Sequence, residues 1–152
     1  MNASKLDFKK DYPNFPEFRK HGIEMTFMSA NFILALQMFR KATGISINPS
    51  PVEGAWYRFN GKSTSRHYAK NRLSDAGDIF PDPEKIYQAW VMALNFKPFG
   101  GVGIYFDTAP SIMMHVDCRP LRDGFKTIWC RDNSKYYYPH QDKFWQLIKV
   151  IK

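Results

Sequence analysis

Two short segments carry the residues able to do chemistry: Ser65-Arg66-His67 followed by Asp78-Ile79, and His115-Val116-Asp117. Two histidines and one carboxylate can hold a divalent metal and leave one coordination position for a reactive water. Alternate residues of a strand share a face, so His115 and Asp117 point one way and Met114, Val116 and Cys118 the other. Burying such a polar pair costs free energy unless the groups have partners. A metal ion is one such partner; a plain His–Asp hydrogen bond is another. His67 lies in a polar loop, and Asp75 and Asp78 both follow it. Asp78 is the preferred ligand, because Ala76-Gly77 before it and Ile79 after it place it on a rigid strand. Asp75 suits ordering of the loop. If His67, Asp78 and His115 converge, their nitrogen and carboxylate donors suit Zn²⁺. Hydrolysis of an amide there also needs a base and a positive group for a carboxylate or oxyanion.

These residues need elements to position them. Phe32, Leu36, Phe39 and Thr43 fall at helical spacing, with Ile33 and Arg40 beside the stripe, so a helix is predicted over about 29–43, stopped by Gly44. Ile45-Ser46-Ile47 reads as a short strand and Asn48-Pro49-Ser50-Pro51 as a turn. GAWYRF (54–59) reads as a strand, 60–75 as the loop carrying His67, and 76–80 as the strand carrying Asp78. Asp82 is a good N-cap and Pro83 suits the first position of a helix to about Asn95, burying Ile86, Trp90, Val91 and Leu94. Strands are predicted over 103–106, 111–119, 125–131 and 136–138, with a last helix over 141–151 that buries Phe144, Leu147 and Ile148. Helices before, between and after short strands argue an α+β fold.

A chain of 152 residues is expected to form one domain, here over 26–152, behind an N-terminal arm (1–25) rich in aromatics and marked by Pro13 and Pro16. A composition 44% hydrophobic and 16% aromatic excludes a disordered chain. No segment approaches the roughly 18 consecutive apolar residues of a membrane helix. MNASKLDFKKDYPNF holds no apolar core of signal-peptide type, so no export signal is expected. The net charge of +8 is scattered from Lys5 to Lys152 without a basic run, which argues against a nucleic-acid interface. Cys118 and Cys130 are not in a C-x-x-C pair and are expected to be free thiols. His21 in the arm and His140 ahead of the last helix fall outside the constellation.

In order along the chain stand Ser65-Arg66-His67, Ala76-Gly77-Asp78-Ile79, Gly101-Val102-Gly103-Ile104-Tyr105, His115-Val116-Asp117-Cys118-Arg119 and Trp129. This series resembles the M15 peptidases, the D-Ala-D-Ala carboxypeptidases and phage L-alanyl-D-glutamate endolysins, over roughly residues 30–131. The resemblance implies the hedgehog/DD-peptidase fold, a small antiparallel sheet flanked by helices. It also implies His67, Asp78 and His115 as ligands of Zn²⁺, and Arg58 as the arginine that holds a substrate carboxylate, for which its bidentate fork is suited. The chain departs from the family pattern in two places. About four extra residues lengthen the loop within Tyr68 to Asp75. Ile112 stands where many members carry the Glu or Asp general base, three residues before the second histidine. Asp117 shares the face of His115 and can either take the base's part or orient a ligand histidine.

The resemblance implies a zinc peptidase acting on peptidoglycan stem peptides, phage-associated, in the virion or the host cytoplasm. The alternative on the same fold is a virion structural protein of tail or capsid, its metal site inactive or structural, docked on other virion proteins through the N-terminal arm.

Overall fold

The computed structural model describes residues 25–152. The arm expected over 1–25, with its docking on another chain, lies outside the described residues except for Met25, as does His21. Met25–Phe27 is a short 3-10 turn. The apolar stripe that follows becomes helix α1, Ala30–Thr43, burying Ala30, Phe32, Ile33, Ala35, Leu36 and Phe39. Gly44 ends it at φ 64°, a left-handed conformation that costs a side-chain-bearing residue roughly 1–2 kcal/mol. Asp82 accepts from the Glu84 N–H at 3.2 Å and starts a 3-10 turn, Pro83–Lys85, which runs into helix α2, Ile86–Asn95. Its inner stripe is Ile86, Ala89, Trp90 and Ala93; Val91 and Leu94, expected inside, flank that stripe and are half-buried. Helix α3, Asp142–Val150, buries Phe144, Leu147 and Ile148, as its spacing predicts.

Six strands form one sheet: β1 (Ile47–Pro49), β2 (Ala76–Pro81), β3 (Gly101–Tyr105), β4 (Met113–Asp117), β5 (Thr127–Asp132) and β6 (Lys135–Tyr137), in the order β1-β2-β4-β3-β5-β6. The sheet is mixed, not wholly antiparallel as expected. β4 and β5 run opposite ways but straddle β3, so β3 and β5 are parallel neighbours while every other pair is antiparallel. Alternation of side chains is the same in both kinds of ladder, so the patterning does not distinguish them.

Two further expectations are corrected. The turn placed at 48–51 begins inside β1, where Pro49 is tolerated because β1 is an edge strand. No strand forms over 54–59. Gly54 turns the chain at φ 83°, and Trp56 is buried by tucking its indole inward, where its N–H donates to the Ser50 carbonyl at 3.1 Å. Arg58 makes an isolated bridge to Tyr68.

The two sheet faces have different tasks. Ile79, Val102, Ile104, Met114, Val116 and Cys130 share one core with the inner residues of all three helices. Each large side chain fully buried there contributes about 1.5–3 kcal/mol. The register puts Asp78, His115, Asp117, Gly101, Gly103, Tyr105 and Trp129 on the opposite face. A sheet packed on one side thus offers a rigid, open side for polar groups.

Candidate metal centre

Asp78 on β2 and His115 on β4 are directly opposite in the ladder, which brings the Asp78 Oδ1 to 2.9 Å from the His115 Nδ1. His67 arrives from the long loop, and its Nε2 lies 3.0 Å from His115 Nδ1 and 3.5 Å from Asp78 Oδ1. The loop is tied down locally. The Arg58 N–H donates to the His67 carbonyl and the Ala69 N–H to the Arg58 carbonyl, both at 2.8 Å. Asp75 forms an ion pair with Arg66, the residue before His67. Asp75 therefore orders the loop, and Asp78 is the carboxylate that joins the two histidines.

This cluster can hold a metal ion. A tetrahedral ion with bonds of about 2.0–2.1 Å sets its donor atoms roughly 3.3–3.4 Å apart, close to the spacing here. The hydrogen-bond chemistry agrees. His115 Nε2 meets the Asp117 carboxylate at 2.8 Å, so it must carry the proton of a neutral imidazole. Nδ1 is then a lone pair facing a second carboxylate and a second imidazole. A cation at that point, whether a proton or a metal ion, resolves the conflict. In the metal-free site it is the proton. Burial alone would lower the pKa of His115, but Asp117 and Asp78 outweigh burial and hold it at about 9. Burial alone would raise Asp78, but its contacts with His115 and His67 bring it down to about 2.

Asp117 stands behind His115 and is fully buried. One carboxylate oxygen faces His115; the Arg119 N–H donates to the other at 3.0 Å, and the Arg119 guanidinium spans both. Burial pushes its pKa up, but His115 and Arg119 overcome this and keep it well below the usual carboxylate range. Gly101 leaves the room this needs: a Cβ there would lie 2.4 Å from Asp117 Oδ2. Gly103 does the same for Trp129, whose ring centroid lies 5.2 Å from that of His115 and whose N–H donates to the Tyr105 hydroxyl at 3.2 Å. The G-V-G pattern of β3 is therefore a requirement for space.

The histidines and Asp78 open onto a cleft of about 770 Å³, also lined by Arg58, Glu53, Trp129 and Tyr136. Arg58 thus shares the cleft with the three ligands, and its buried Nε has no hydrogen-bond partner among the described residues. Ile112, by contrast, packs into the core on the helix side of the sheet. His140 stacks parallel to Tyr138 at 6.1 Å and is not among the residues lining the cleft. Cys118 and Cys130 are free thiols, pushed up by burial to about 12 and about 11. Sequence reasoning missed the pairing of Asp117 with Arg119, which lies two residues on, just past the end of β4. Glu53 carries no sequence signal, because its place on the cleft depends on how its loop folds.

No family model matches the chain, and no curated protein or solved structure matches it either. Among the described residues no helix is long and apolar enough to cross a membrane.

Proposed function

We propose that the chain is a zinc-dependent peptidase of M15 type that cleaves peptidoglycan stem peptides and is phage-associated. The observation that carries this is the convergence of His67 Nε2, Asp78 Oδ1 and His115 Nδ1, with the far nitrogen of His115 held by Asp117. Ligand histidines in metal sites are fixed by such a carboxylate, which sets the tautomer and ring orientation. Zinc held by these three residues supplies Lewis acidity toward a scissile carbonyl and makes water a better nucleophile near neutral pH. Arg58, which lines the same cleft as the ligands, pairs with a substrate carboxylate. Trp129 and Tyr105 form an apolar wall beside the ligands, which limits water in the cleft and strengthens the charge interactions there.

Purified protein is expected to contain about one zinc per chain and to release peptides from cell walls. His115→Ala should lose both. A His115→Ala protein that kept its zinc and its activity would overturn the proposal.

One observation favours a second reading, a virion structural protein with a purely structural metal site. The position expected to carry the base is Ile112, and it faces the core. A zinc-replete wild-type protein inert toward every cell-wall peptide would support that reading.

A further inference from the structure

We infer that Glu53 is the general base of this site, a role that rests on the peptidase function proposed above. Amide hydrolysis requires a group that accepts a proton from water and passes it to the leaving nitrogen. The other nearby acids are already engaged. Asp117 is fully buried, with both oxygens committed to His115 and Arg119. Asp75 is paired with Arg66, and Asp107 holds Arg131 and the Ser134 N–H. Asp78 belongs to the ligand cluster. Tyr105 is no alternative: burial pushes its hydroxyl pKa above the normal tyrosine value, so it keeps its proton.

Of the residues lining the cleft, Asp78 and Glu53 are the two carboxylates. Glu53 is exposed, and among the described residues no hydrogen bond or ion pair engages its side chain. Its backbone is nevertheless well placed. The Ser50 N–H donates to the Asp78 carbonyl at 2.9 Å, and the Asp78 N–H donates to the Ala55 carbonyl at 3.0 Å. The loop bearing Glu53 is thus bonded at both ends to the peptide groups of a ligand residue. Within it, the Ala55 N–H donates to the Val52 carbonyl at 3.1 Å, closing a tight turn with Glu53 and Gly54 at its centre. A free carboxylate is therefore carried on a short loop, tied to the backbone of Asp78, that lines the same cleft as the ligand cluster.

In the step this assigns, ionised Glu53 takes one proton from water as the water oxygen bonds to the amide carbon. It returns that proton to the amide nitrogen as the carbon–nitrogen bond breaks. One amide and one water give one carboxylic acid and one amine, and Glu53 ends ionised again.

The test uses full-length zinc-loaded wild type, Glu53→Gln and Glu53→Asp on cell-wall peptides. Glu53→Gln should lower kcat roughly 100- to 10,000-fold with KM and zinc content unchanged. Glu53→Asp should restore part of the activity. Cobalt(II)-loaded protein adds a readout independent of turnover, since its visible spectrum follows ionisations beside the metal. The pH of that spectral transition should move in Glu53→Gln. A Glu53→Gln protein with wild-type kcat, or with an unmoved cobalt transition, overturns the inference alone. Wild-type protein that binds no zinc, or cleaves nothing, overturns the peptidase function and this role with it.

Discussion

His115 shows how one side chain can couple a site to the whole strand that carries it. Its two nitrogens face two different carboxylates, so its proton and a metal ion compete for Nδ1. Two outcomes are expected at this scale. First, Asp117→Asn should lower zinc affinity about 10- to 100-fold, because the amide no longer fixes the His115 tautomer. Competition against a chelator of known affinity measures this; unchanged affinity with a collapsed kcat would instead make Asp117 the base. Second, the metal-free protein should lose stability toward alkaline pH. His115 sits at about 9 against an ordinary 6.5, so its stabilisation is complete below 6.5 and disappears as pH rises through 9. The shift corresponds to about 3 kcal/mol. Asp78, at about 2 against an ordinary 3.8, acts in the opposite sense: its contribution is present above 3.8 and lost as pH falls through 2. Denaturant unfolding of the metal-free protein should therefore give its highest stability between these windows. At this scale the ligand types were legible in the sequence, whereas the engagement of Asp117 with Arg119 and the freedom of Glu53 depend on which atoms meet in space.

Among the elements, β3 and the loop that carries His67 do most to shape the site. β3 must be nearly bare on its polar face, because Asp117 and Trp129 lie across it. A Cβ at Gly103 would stand 2.4 Å from the Trp129 indole. Gly103→Ala should therefore displace Trp129 and cost about 1–3 kcal/mol by overpacking, read as a lower denaturation midpoint with an unchanged slope. A variant as stable as wild type would show that the indole moves freely. The helices were legible because their inner stripes recur with a fixed period over many residues. The segment 54–59 was not: its aromatic content resembles a strand, but Trp56 reaches the interior from a turn, and Gly54 forces that turn.

In the molecule as a whole, stability and chemistry occupy opposite faces of one sheet. The helix side holds the principal core, and the open side holds the ligand cluster over a smaller apolar group of Phe80, Tyr105, Met113 and Trp129. Zinc at a hundred times its dissociation constant should add about 2.7 kcal/mol by binding the folded state alone. Calorimetry should show a lower Tm after chelation, with the far-UV circular dichroism below the transition unchanged, because the core on the helix side does not involve the metal. A Tm indifferent to zinc would count against a built metal centre.

By itself the sequence determined the α+β class, the three helices with most of their buried residues, and the choice of His67, Asp78 and His115 as the residues to watch. Each of these follows from local periodicity or from the chemistry of a side chain. Only the tertiary structure decided the mixed strand order, the pairing of Asp75 with Arg66, the clamp of Arg119 on Asp117 and the arrival of Glu53 at the cleft. Those depend on how strands and loops are placed in space, which even for neighbours such as Asp117 and Arg119 decides which atoms meet. Strand alternation is identical for parallel and antiparallel neighbours, and a free carboxylate has the same sequence signature as a paired one.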